Sequence, residues 1–146
     1  MSTALWLIPA LLMAALTTVA VSADAGELRA TIRNVKPQQG KVWVALYDGA
    51  DPYKADRRFA GQIVDASGPE LTVVFAGLPP GRYGLSAFQD VNGDGTLGTN
   101  MLGVPTEPYG FSRAAQAGAF GPPDFDALAV AVDKTGIVTT VIEMTE

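Results

Sequence analysis

Asp90, Asn92 and Asp94 stand at alternate positions in the run DVNGDGTLGTN (90–100), and Gly95 follows them. Oxygen-bearing side chains at the first, third and fifth places of a loop, with glycine at the sixth for the sharp turn, form the opening half of a helical calcium loop. Thr96 would add its backbone carbonyl at the seventh place. That set supplies four or five oxygens, whereas calcium takes about six to eight. The twelfth place, where a bidentate glutamate closes such a loop, holds Met101. A closing carboxylate must come from outside the run. Glu107 is the nearest acidic residue downstream, and Asn100 offers an amide oxygen. The expected ligand set is therefore Asp90, Asn92, Asp94, Thr96, Asn100 and Glu107. The expected cation is weakly held calcium, since magnesium demands stricter octahedral geometry. A bare polar turn is the alternative, because Asn, Asp and Gly all tolerate left-handed φ.

Other chemistry is narrowed by what the chain lacks. It contains neither Cys nor His. This removes Ser-His-Asp and Cys-His catalysis, imidazole or thiolate zinc sites and ordinary haem ligation. Carboxylates, hydroxyls, amides, Lys and Arg remain, and they suit hard cations and sugars better than nucleophilic catalysis. Glu107 with an Asp could serve as an acid/base pair on a glycan, which requires two carboxyl groups about 5 to 9.5 Å apart beside an open cleft. Tyr109, Phe111 and Phe120, with Phe125, could line a sugar or lipid pocket; the alternative is packing against the body of the domain. Trp43 and Tyr47 share one strand face and read as core. Asp56-Arg57-Arg58 reads as a solvated face.

The elements that would position these residues begin after an apolar leader. MSTALWLIPALLMAALTTVAVSA carries no charged side chain, and Asp24 is the first in the chain. This reads as a secretory signal peptide over 1–23, with Val21-Ser22-Ala23 as the small-residue cleavage pattern. An uncleaved membrane anchor is the alternative, since the apolar run is nearly long enough to span a bilayer. Either way residues 24–146 form one exported domain, periplasmic or secreted. Lys and Arg number 10 against 15 Asp and Glu, for a net charge of −5. No nucleic-acid partner is expected, because phosphate binding needs clustered cations. No basic amphipathic stretch suits a membrane surface, so membrane contact would require an uncleaved leader.

Short strands follow the leader. ELRATIRNV (27–35) alternates apolar and polar residues. KVWVALYD (41–48) is rich in β-branched and aromatic residues and reads as a central strand. GQIVDA (61–66) and ELTVVFAGL (70–78) are further strands. Pro79-Pro80-Gly81-Arg82 suits a type II turn joining a hairpin. DALAVAVD (126–133) alternates, Lys134-Thr135-Gly136 turns, and IVTTVIEM (137–144) is the last strand. Six or seven strands with turn signals between them predict an all-β, antiparallel Greek-key sandwich.

Between Asp90 and Pro123 lie 34 residues with seven glycines, four prolines and no evident strand. A connection this long is either functional or disordered. Met101, Leu102, Val104, Tyr109, Phe111 and Phe120 argue against disorder, so an ordered excursion packed on one end of the sandwich is expected.

The runs FAGLPPGRYGLSAFQDVNGDGTLGTNMLGVPTEPYGFS (75–112) and FGPPDFDALAV (120–130) resemble the DUF2141 family, exported bacterial proteins of undetermined function. The resemblance rests on Leu78-Pro79-Pro80-Gly81 with Tyr83. It continues through Asp90, Asn92, Asp94, Gly95, Leu97 and Asn100, then through Gly103, Pro105, Glu107, Tyr109, Gly110, Phe111 and Ser112. It implies an immunoglobulin-like or transthyretin-like sandwich and no particular activity. The chain departs from the family pattern at Gln89, where the family usually has His, at Gly98, where an Asp is frequent, and at Arg113, where Asn is common. A site using that His or that Asp would have lost a ligand here. The expected function is non-enzymatic: an envelope domain taking a small ligand or partner through 90–123, with calcium ordering the excursion. A metal-free, adhesion-like sandwich is the alternative.

Overall fold

Residues 25–146 are described by a computed structural model. The expected leader, 1–23, lies outside the described residues. Strand β1 (Gly26–Arg33) shows strict alternation of buried and exposed positions, the period of a strand with one face on a core. It is followed by β2 (Lys41–Tyr47), a short helix α1 (Ala50–Lys54), β3 (Ala60–Asp65), β4 (Leu71–Leu78) and β5 (Gly81–Asp90). Then come β6 (Tyr109–Phe111), a 3-10 turn (Ser112–Ala114), α2 (Phe125–Leu128), β7 (Val130–Val132) and β8 (Ile137–Glu143). These strands form two facing sheets, an all-β sandwich. One sheet runs β4-β1-β8 and the other β3-β2-β5-β6, with β7 paired to the first residues of β5. No described helix is long and apolar enough to cross a membrane.

The main core lies between the sheets. Leu28, Ile32, Val42, Leu46, Leu85 and Ile142 are fully buried there. Each such side chain contributes about 1.5–3 kcal/mol by leaving water. A second, smaller cluster sits on the outward face of the larger sheet. Ala45 and Tyr47 of β2 meet Phe111, Phe125, Leu128 and Ala129 there, with Tyr53 packed alongside. At this end β2 is covered on both faces, which is why KVWVALY is nearly continuously apolar.

Several expectations are corrected. The Pro-Pro-Gly segment does not close a hairpin: β4 and β5 belong to different sheets. Gly81 is the first residue of β5, paired with Val132, and the left-handed glycine nearby is Gly77 (φ +68°) rather than the third residue of a type II turn. Nor is every ladder antiparallel. β1 and β8 run parallel, from Glu27↔Ile137 to Arg33↔Glu143, because β8 is entered from β7 on the opposite sheet and not by a hairpin from β1. The segment 126–133 is only partly strand. Phe125 and Leu128, three apart, both enter the second core, and one helical turn presents them on one side. Gly84 makes room for them, since a Cβ there would overlap Leu128 Cδ1. The excursion is also not strandless, because Tyr109–Phe111 pairs with β5.

Ser112, fully buried, joins the two cores. Its hydroxyl accepts the Leu85 N–H at 2.9 Å and donates to the Leu128 carbonyl at 2.5 Å. Ser112→Ala leaves both groups without that partner, so chemical denaturation should show a loss of about 1–3 kcal/mol. Unchanged stability would mean the pair finds other partners.

Tyr53 fixes α1 to the excursion's far end, donating its hydroxyl to the Pro123 carbonyl at 2.9 Å. Partial burial, with the Tyr47 and Asp124 charges nearby, pushes its pKa up to about 12 from the usual 10.0. A raised acid pKa means the folded state holds the proton that the unfolded chain releases. Its contribution is complete below pH 10 and fades as pH rises toward 12. Tyr53→Phe should flatten the alkaline fall in unfolding midpoint over that window; an unaltered slope would reject Tyr53 as its source.

Candidate metal centre

The excursion is anchored by a register. β5 and β6 pair as Ser86↔Phe111, Ala87↔Gly110 and Phe88↔Tyr109, and the Gln89 N–H continues to the Pro108 carbonyl at 2.8 Å. Just past this ladder the chain bends at Glu107 and brings its carboxylate beside that of Asp90. Residues 91–106 are thus a long hairpin loop closed at its base by two carboxylates. Both are buried, Asp90 at 4% exposure and Glu107 at 6%. Like charges held side by side repel, so their surroundings must compensate.

Backbone amides do part of this. Asp90 accepts the N–H of Gly93 (3.0 Å) on one oxygen and of Gly95 (2.9 Å) on the other. Glu107 accepts from Val91 and Gly98, both at 2.7 Å. Gly93 and Gly95 have φ of +75° and +76°, which turns their amides inward at no steric cost. Asp94 completes the group. Its carboxyl is held below the ordinary value chiefly by the Thr96 N–H, with the Asn92 amide also lowering it. Oxygens of Asp90, Asp94 and Glu107 all lie within 4.8 Å of one another. Among the described residues, no salt bridge engages any of the three.

Of the six expected ligands, three are therefore brought together as acids. Asn92 serves the cluster indirectly, its Oδ1 accepting the Asp94 N–H at 3.3 Å. Thr96 orders Asp94 through its amide. Asn100 lies apart from the acids in its bonding: its Oδ1 accepts the N–H groups of Leu102 and Val104, building a separate turn. A short polar side chain that bonds its own following backbone is committed there and not to the loop interior.

The three departures also find places. Gln89 is fully buried and on the opposite strand face from Asp90. It accepts the Lys36 N–H and donates to the Lys36 and Gln39 carbonyls, so it staples the β1–β2 connection. It is not positioned as a ligand. A Cβ on Gly98 would stand 3.1 Å from Glu107 Oε1, so an acid there would crowd this carboxylate. Arg113 is left-handed (φ 57°), a conformation that Asn tolerates more readily.

Two features accompany the centre, the first of them missed from sequence. Trp43, expected in the core, stands on the outward face, stacked on Phe88 at 5.9 Å, with its ring 3.7 Å from where a Gly95 Cβ would be. Its indole N–H is buried without a partner. The second feature is a cleft of about 540 Å³ within the excursion, lined by Leu97, Leu102, Val104, Tyr109, Phe111 and Phe120 among others. The three expected pocket aromatics do share this one cleft. Phe111 is buried, Tyr109 half-buried, and Phe120 wholly exposed at its rim, so Phe120 does not pin the excursion.

An all-β sandwich with a long hairpin loop, closed by paired carboxylates, is the class these features define. The family model described as "Uncharacterized protein conserved in bacteria (DUF2141)" matches residues 30–140, and the chain belongs to that family. No curated protein and no solved structure matches it.

Proposed function

We propose that the protein is a non-enzymatic exported domain, periplasmic or secreted, in which a calcium ion held by Asp90, Asp94 and Glu107 orders the excursion. The ordered excursion presents its apolar cleft to a small ligand or an envelope partner. The observation that supports this reading is that oxygens of Asp90, Asp94 and Glu107 lie within 4.8 Å of one another, Glu107 being a carboxylate from outside the half-loop. Each carboxylate oxygen that accepts an N–H keeps a second lone pair for a cation. Leu102 and Phe120, 87% and 105% exposed, give the cleft an apolar rim, as exposed patches at binding sites do. An immunoglobulin-like or transthyretin-like relationship is part of the same proposal.

A metal-free, adhesion-like sandwich is the second reading. The four backbone N–H groups on Asp90 and Glu107 favour it, since they satisfy both carboxylates in part without any ion. A glycan hydrolase built on this pair finds less support. Both acids are buried against amides, and neither lines the cleft within the excursion.

Trp43 is the one tryptophan among the described residues, and its ring lies beside Gly95 of the loop. Calcium added to EDTA-treated protein should shift its emission with saturation at submillimolar to millimolar concentration. Emission that stays constant throughout would support the metal-free reading.

A further inference from the structure

A different cleft, of about 380 Å³, lies on the outward face of the larger sheet. Strand pairing builds it. Ile63, Trp43 and Phe88 form one row across β3, β2 and β5, and Gly61, Ala45 and Ser86 form the next. Large side chains beside small ones leave a trough running across the strands. The stacked Trp43 and Phe88 rings, 20° apart in plane, make one wall. Tyr47 and Arg58 line the other side, and Ser86 brings a hydroxyl to the floor. Tyr47 donates its O–H to Asp56 at 2.6 Å, and Arg58 pairs with the same carboxylate at 3.5 Å.

We propose that this trough binds a short, neutral oligosaccharide. Its volume falls in the range of small-molecule sites, about 300–1,000 Å³. Sugar rings present C–H faces that suit the electron-rich faces of aromatic rings. Hydroxyls of the sugar would meet the Ser86 and Tyr47 hydroxyls and the Arg58 guanidinium. Charge disfavours an anionic ligand: Arg58 is balanced by Asp56, and the chain as a whole carries −5. A peptide added as a strand is disfavoured because it would run along β3 at the sheet edge, whereas the trough crosses the strands. None of Asp90, Asp94 and Glu107 lines this trough.

The test is calorimetry on the full chain with cellotetraose, chitotetraose and maltotetraose, each in EDTA and up to about 10 mM, a range that captures millimolar affinity. At least one should bind. Trp43→Ala should weaken that binding about tenfold or more, as loss of a central aromatic contact does. Tyr47→Phe keeps the ring and should weaken it a few-fold, so the result does not hinge on Trp43→Ala remaining folded. Ile137→Ser, on the other sheet, should leave affinity unchanged. Absence of binding by all three sugars, or binding indifferent to both Trp43→Ala and Tyr47→Phe, would overturn the proposal.

Discussion

In millimolar calcium the unfolding midpoint should rise by about 5 °C over that in EDTA, a shift of the size mass action gives at about tenfold excess over Kd. The physical cause is the pair of buried acids. The carboxylates of Asp90 and Glu107 meet at the base of the loop and, with that of Asp94, lie within 4.8 Å of one another. The backbone N–H groups lessen their repulsion but carry only partial charge. A divalent cation would lessen it further, and only while the folded loop holds the acids together, so it should bind the folded chain in preference to the unfolded one. The affinity should be weak, in the 10⁻⁴–10⁻³ M range common for extracellular modules, because Asp94 is exposed and a dedicated twelfth-position glutamate is missing. Magnesium should produce a smaller rise. Asp90→Ala/Asp94→Ala should abolish the rise altogether, and should also lower the midpoint in EDTA by freeing the Gly93 and Gly95 N–H groups. A calcium response that survives in this double variant would place the ion elsewhere, and Glu107→Gln would then be uninformative about the loop.

Gly40→Ala should lower the midpoint by about 10 °C or more, as a loss of about 3 kcal/mol does in a domain of this size. Two costs combine. Gly40 has φ +65°, where a Cβ costs about 1–2 kcal/mol. The added methyl would also overlap the Asp90 carbonyl oxygen and stand 2.9 Å from its carbon. Backbone cannot swing aside as a side chain can, so the β1–β2 connection and the end of β5 must separate. Overpacking of this kind costs about 1–3 kcal/mol. Gly77→Ala isolates the first cost, because its φ is +68° and no atom lies within 4 Å of its Cβ position. Equal losses in the two variants would show that the contact with Asp90 contributes nothing. Gly40→Ala should also reduce calcium affinity, since it displaces the residue that carries the first carboxylate.

Much of the secondary structure follows from local patterning. The alternation in β1 and the β-branched run of β2 identify strands wherever their partners lie, because period two and side-chain shape are properties of the segment itself. The Asp90-Asn92-Asp94-Gly95 spacing likewise announces a tight, oxygen-lined turn, and Glu107 is the obvious acid downstream. Residues 125–128 are different. Phe125 and Leu128 turn helical because a second core exists for both to enter, and that core is assembled from β2, β6 and α1, distant in sequence.

The sequence by itself determined a strand-rich chain with one long, glycine-rich excursion and an acidic half-loop at its start. The tertiary structure alone decided which strands pair, that β1 and β8 run parallel, and that β4 and β5 part into separate sheets. It alone brought the Glu107 carboxylate beside that of Asp90 and raised Trp43 and Phe88 beside a row of small residues. The reason is that patterning specifies which face of a segment is buried, whereas pairing depends on non-local packing that no single segment encodes. A site assembled across β5 and β6, or across β3, β2 and β5, exists only once that pairing is made.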